Sequence, residues 1–194
     1  MTMHAETLTV EPARRIDDVE FSDVAVELVV LDLSAATVRG TEFVDAAPEV
    51  VEGAEGVEAV EGAERIFRLL RVAGVSIALT TGRSRETMKA IIDMLGWRDV
   101  IDVALCAEDA GRDMPFPDLP LTALMRTGAA SVDSMVIVGD TVDAMRTGLA
   151  VGAGLNVGVL TGAPDAEQLH QAGADEVLES IAVLPAMLGV SPEV

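Results

Sequence analysis

The chain has 194 residues, 50% of them hydrophobic, which supports one compact domain with a real core and excludes wholesale disorder. Thirteen Lys+Arg against 33 Asp+Glu give a net charge of −20, which argues against a nucleic-acid partner or an anionic membrane surface. The single cysteine, Cys106, excludes a disulfide scaffold and a cysteine-based zinc cluster, and Lys89 is the only lysine.

Acidity is concentrated at the front. Residues 1–64 hold 16 acids and 3 arginines, whereas residues 65–194 hold 17 acids and 10 bases. Residues 1–22 are expected to form a flexible acidic leader, and residues 23–190 a single core. Residues 1–10 lack the basic-then-apolar layout of a signal peptide, and no apolar run approaches a membrane span, so a cytoplasmic location is expected. The first apolar run, residues 27–33, reads as a strand. Glu49, Glu52, Glu55, Glu58, Glu61 and Glu64 then recur at every third residue. On a helix that spacing drifts by about 60° per step and rings the cylinder, so it marks no polar face. With Gly53, Gly56 and Gly62 interleaved, residues 45–60 are predicted to be a solvated, loosely ordered connector.

Beyond it, strands alternate with amphipathic helices. Ile66, Leu69, Leu70 and Ala73 form an apolar stripe ending at Gly74. A strand follows at 76–81. Ser84 caps the next helix, which carries Met88, Ile91, Ile92 and Leu95 and stops at Gly96. Strands are predicted at 103–106, 135–140, 155–160 and, more weakly, 176–178. Helices are predicted at 141–152, 165–172 and 181–188. The strands are short, rich in Val, Ile and Leu, and barely alternate, as suits strands buried on both faces. The fold class is therefore α/β, a doubly wound parallel sheet with helices on both faces.

Ligands of such sheets bind beyond the carboxyl ends of the strands. The first strand delivers Asp32 there, the second Thr81 and Gly82, and the fourth Gly139, Asp140 and Thr141; Gly111 and Arg112 follow the third. Two carboxylates suit a hard cation such as Mg²⁺. A hydroxyl, a helix start and a guanidinium suit a phosphate. The bland alternative is that each Asp only caps the helix or turn after it.

The order of these pieces resembles the haloacid dehalogenase (HAD) superfamily, in particular its phosphonatase-like branch, over residues 27–188. The run from Leu28 through Asp32 to Val38 is similar to the family's first motif. Ala78 to Gly82, followed by Ser84 to Thr87, is similar to the second, with Leu95-Gly96-Trp97 as its continuation. Gly111-Arg112 with Pro115 resembles the third, and Val138-Gly139-Asp140-Thr141 the fourth. Gly158 to Gly162, Gln168-Leu169 and Ala172 to Asp175 match the branch's tail. The resemblance implies a Rossmann-like HAD core and a Mg²⁺-dependent hydrolase of a phosphate ester. Asp32 would be the nucleophile forming an aspartyl-phosphate. Asp32, the Ser34 carbonyl and Asp140 would hold the metal, and Thr81, Gly82 and Arg112 the phosphoryl group.

Departures from the family pattern bear on activity. The acid/base aspartate of most HAD phosphatases, which the phosphonatase branch also lacks, is replaced by Ser34, and the Gly and Thr after it by Ala35 and Ala36. In the fourth motif the second acid is replaced by Ala144. Asp143 is adjacent, but one residue turns a helical side chain by about 100°. The cap that relatives insert between the first two motifs is missing, with residues 38–60 an acidic connector in its place and no lysine among them. Schiff-base cleavage of a phosphonate is thus not expected. The open site would take a small phosphorylated substrate or be covered by a partner protein. No nucleic-acid or membrane partner is implied, and the oligomeric state is left open. Two alternatives stand beside the hydrolase: a catalytically degenerate HAD domain acting as a binding or assembly module, and a receiver-like domain phosphorylated at Asp32. His4 and His170 read as surface histidines, Cys106 as a small core residue and Trp97 as packing at a helix end.

Overall fold

The computed structural model describes residues 25–33, 38–39 and 57–190. The expected leader (residues 1–22), Ser34, Ala35, Ala36 and residues 40–56 of the connector lie outside the described residues. In chain order the strands are β1 (Leu28–Asp32), β2 (Val38–Arg39), β3 (Glu58–Ala59), β4 (Ser76–Thr81), β5 (Val103–Cys106), β6 (Met135–Gly139), β7 (Leu155–Val159) and β8 (Glu176–Leu178). Six of them form one parallel sheet in the order β5-β4-β1-β6-β7-β8, and β2 pairs with β3 in an antiparallel ribbon. The chain steps outward from β1 through β4 to β5, then restarts on the other side at β6. That reversal puts the topological switch point at the carboxyl end of β1, where doubly wound sheets bind ligands.

The helices are α1 (Ala63–Val72), α2 (Arg85–Met94), α3 (Ala107–Ala110), α4 (Asp118–Thr127), α5 (Val142–Val151), α6 (Ala166–Gln171) and α7 (Leu184–Met187). Residues of β1 alternate between two cores. Val29 and Leu31 pack with Ile66, Phe67 and Leu70 of α1 and Met88, Ile91 and Ile92 of α2. Leu28 and Val30 pack on the opposite face with Leu119 and Ala123 of α4. A third cluster joins Ala144 and Met145 of α5 to Leu169 of α6. Each aliphatic side chain buried this fully contributes about 1.5–3 kcal/mol. Both faces are covered, so the expected doubly wound α/β sheet is what the chain forms. Among the described residues no helix is long and apolar enough to cross a membrane.

Three local expectations change. The connector does not extend to residue 60: Val60 is buried in the main core, with Val57 and Ala59 packed against it. The period-three glutamates obscured these apolar positions between them. The buried face of α1 is Ala63, Ile66, Phe67 and Leu70, while Ala73 becomes an exposed C-cap. Helix α4 has no counterpart among the predicted elements. Pro117 is its N-cap and Pro120 lies in its first turn, where no intrahelical N–H partner is needed. Ser84 caps α2 as expected, accepting a hydrogen bond from the Thr87 N–H at 3.2 Å.

Candidate active site

Asp32 ends β1, opposite Thr80 of β4, and its side chain is buried. On the other flank Leu31 pairs with Val138, so Gly139 and Asp140 emerge beside Asp32. A Cβ placed on Gly139 would lie 3.8 Å from that of Asp32 and would clash with the Ala144 methyl. The absence of a side chain at Gly139 thus lets the first turn of α5 pack against the end of β6.

Asp140 is completely buried. Burial, and then the negative charge of Asp32, push its carboxyl up to about 6, although a hydrogen bond from Thr161 pulls the other way. Thr161 Oγ1 donates to Asp140 Oδ2 at 3.2 Å, whereas Oδ1 is buried with no hydrogen-bond partner among the described residues. The capping alternative fails for this residue. Thr141 caps α5, its Oγ1 accepting from the Ala144 N–H at 3.1 Å. The Asp140 carboxylate is therefore not engaged by the helix behind it.

At the end of β4, Thr81 is buried and its Oγ1 accepts from the Arg83 N–H at 3.2 Å. Gly82 follows in the open, with the Asp113 carboxylate leaning over it so closely that a Cβ there would push it aside. Asp113 Oδ1 is itself held by the Met114 N–H at 2.7 Å. Arg112 is engaged by the start of α4. Its Nε and Nη2 each lie 2.8 Å from a carboxylate oxygen of Asp118, and its guanidinium stacks 4.5 Å from the Phe116 ring centroid. The structure thus brings Asp32, Thr81, Gly82 and Asp140 to one sheet edge and holds the Arg112 head group on Asp118. Ser34 lies outside the described residues.

The fourth-motif substitution is also defined. Asp143 is exposed and 3.4 Å from Arg146, so it does not replace the missing acid. Ala144 is buried and lines an apolar hollow with Asp32, Thr80, Met114, Leu119 and Ile137. Cys106 is buried, as expected, but it also stands at the start of α3. Burial and its contact with Asp109 raise its thiol pKa, the opposite of an activated nucleophile. Trp97 packs edge-on against Phe67, with centroids 5.1 Å apart, inside the core. His170 is exposed, with Nδ1 2.9 Å from the Ala174 carbonyl oxygen.

Sequence reasoning passed over Asp109 and Asp118, and gave Thr161 no role. Thr161 follows the end of β7, so reading all the strand ends, not only the first four, would have found it.

The donor chemistry fits Mg²⁺. Among the described residues no group of three or more His, Cys, Asp or Glu could hold a metal. Mg²⁺, however, is commonly held by one or two carboxylates with water completing its shell. Two buried acids in mutual repulsion, one with an orphaned oxygen, form a pair that such a cation would satisfy.

The family model of haloacid dehalogenase-like hydrolases matches residues 15–152. Phosphonoacetaldehyde hydrolase of Bacillus cereus (strain B4264) is 28% identical over 122 residues, 59% of this chain and 45% of that protein. The same enzyme of strain AH187 is 31% identical over 99 residues, 50% and 36% of the two chains. The matched stretch therefore spans less than half the length of these curated relatives. Among solved structures, a HAD family hydrolase from Deinococcus radiodurans R1, crystallised with bound phosphate and sodium, superposes with a TM-score of 0.74 at 22% identity. The match covers 89% of this chain and 100% of that one. A phosphonoacetaldehyde hydrolase-like protein from Oleispira antarctica gives a TM-score of 0.71 at 16% identity, covering 96% of each chain. At these identities the structural likeness establishes the shared fold.

Proposed function

The chain belongs to the haloacid dehalogenase-like hydrolases, and from that premise we propose that it hydrolyses a phosphate ester through a covalent intermediate on Asp32. The observation that carries this reading is the buried Asp32–Asp140 pair, with Oδ1 of Asp140 left without a partner. Asp32, Asp140 and the Ser34 carbonyl would hold Mg²⁺, which when bound neutralises the carboxylates and the phosphoryl oxygens.

Asp32 then attacks phosphorus, the ester P–O bond breaks, and the alkoxide or phenoxide that leaves takes its proton from solvent water. Water hydrolyses the aspartyl-phosphate, releasing inorganic phosphate and restoring the carboxylate. The Thr81 hydroxyl and the Gly82 N–H receive the phosphoryl oxygens at the mouth of β4. Arg112 joins them by exchanging Asp118 for the substrate phosphate, a bidentate partner of the same geometry. Ser34 stands where most HAD phosphatases carry an acid to protonate the leaving group, so substrates whose leaving group needs no such help are favoured. The substrate class is a small phosphorylated molecule.

Phosphate release from 4-nitrophenyl phosphate and from acetyl phosphate, with and without Mg²⁺, tests the proposal. Wild type should turn over only with the metal, and Asp32→Asn should reduce the rate by about 1,000-fold or more. The second reading is a degenerate module. It draws on the apolar Ala144 and on the Arg112–Asp118 pair, which occupies the phosphate-binding head group. Wild-type turnover no faster than that of Asp32→Asn would favour it.

A further inference from the structure

The orientation of Asp140 is set from a neighbouring strand. Residues 161 and 162 follow the end of β7, which runs parallel beside β6 with Gly158 opposite Gly139. Thr161 Oγ1 donates to Asp140 Oδ2 at 3.2 Å. Gly162 packs against the same residue: a Cβ there would lie 2.8 Å from Oδ2 and 2.9 Å from Cγ, and closer still to the Asp140 carbonyl oxygen. One carboxylate oxygen is therefore hydrogen-bonded and covered, and the other, Oδ1, is buried without a partner. A carboxylate free to rotate about its Cβ–Cγ bond would offer either oxygen. This one is fixed.

We infer that Thr161 is a positioning residue that locks the Asp140 carboxylate through Oδ2 and reserves Oδ1 for the cation. The inference rests on the reading of Asp140 as a Mg²⁺ ligand and adds a residue that acts on the metal only through that ligand. Outer hydrogen bonds of this kind orient metal-binding carboxylates, and losing one typically weakens metal affinity by about 10–100-fold. Thr161 is exposed as a residue, so exchanging its hydroxyl for a methyl leaves the core packing intact.

The test is calorimetric titration of Mg²⁺ alone, without substrate, into the wild-type chain, Thr161→Val and Thr161→Ser, together with the thermal midpoint of each metal-free protein. The valine variant should raise the Mg²⁺ dissociation constant by about 10-fold or more. Its metal-free midpoint should not change, and the serine variant should bind like wild type. Wild-type affinity in Thr161→Val would overturn the inference while leaving the metal site standing. A lowered metal-free midpoint at unchanged affinity would overturn it too, showing a structural hydroxyl only. Failure of serine to restore binding would overturn the role of the hydroxyl. Absence of Mg²⁺ binding by wild type would instead remove the metal site itself, and this inference with it.

Discussion

Two aspartates with covered side chains beyond the strand ends of this sheet face opposite physics. Asp109, after β5, accepts from Arg85 Nη1 at 2.8 Å, Arg126 Nη2 at 3.2 Å, the Cys106 N–H at 3.1 Å and the Cys106 thiol at 3.3 Å. Burial alone would raise its pKa. The Cys106 N–H, the arginines and the thiol outweigh that and hold it well below the usual carboxylate range. Asp140, after β6, is buried more deeply still, but it faces Asp32, keeps one oxygen unpaired and is pushed up to about 6. A buried carboxylate whose partners neutralise it is part of the frame. One that faces another carboxylate is arranged for something that arrives from outside.

Neutralising each acid in turn separates the two most sharply. Asp109→Asn should lower the unfolding free energy by about 2 kcal/mol, because it strips charge-assisted hydrogen bonds that tie α2, α3 and α4 together. Asp140→Asn in metal-free protein should cost nothing or stabilise, since it removes a like-charge pair from the interior. Urea denaturation of both variants in the presence of a chelator reads the difference, and equal losses would break the distinction.

A smaller effect separates them by pH. The folded value of Asp140 lies above its ordinary one, so metal-free stability from this group is full below about pH 4 and falls as pH rises to about 6. The folded value of Asp109 is depressed, so its contribution is present above about pH 4 and is lost on acidification below it. The decline between about pH 4 and 6 should vanish in Asp140→Asn and persist in Asp109→Asn. Thermal midpoints across that range, in chelator, check it.

Much of this arrangement could be read from the residues. The apolar runs ending in Asp32, Thr81 and Gly139 became strands with nearly the predicted bounds, because fully buried parallel strands leave continuous Val, Ile and Leu signatures. The parallel order then carried Asp32 and Asp140 to one edge without further assumption. Local pattern gave no access to α4, whose prolines occupy the only turn of a helix that tolerates them. Nor did it reveal where Arg112 points, since a guanidinium six residues from Asp118 has many partners in sequence and one in space. Thr161 was visible as a strand-end hydroxyl. Its bond to Asp140 depends on the pairing of β6 with β7, which no single strand encodes.

The central claim is that Asp32 and Asp140 form a cation site, and calorimetric titration of Mg²⁺ into the metal-free protein near neutral pH tests it most directly. The account predicts one binding event per chain in wild type and a loss of affinity of about 100-fold or more in Asp140→Asn, with the Asp109–Arg85–Arg126 cluster unaffected. No heat of binding in wild type, or an unchanged dissociation constant in Asp140→Asn, would contradict it.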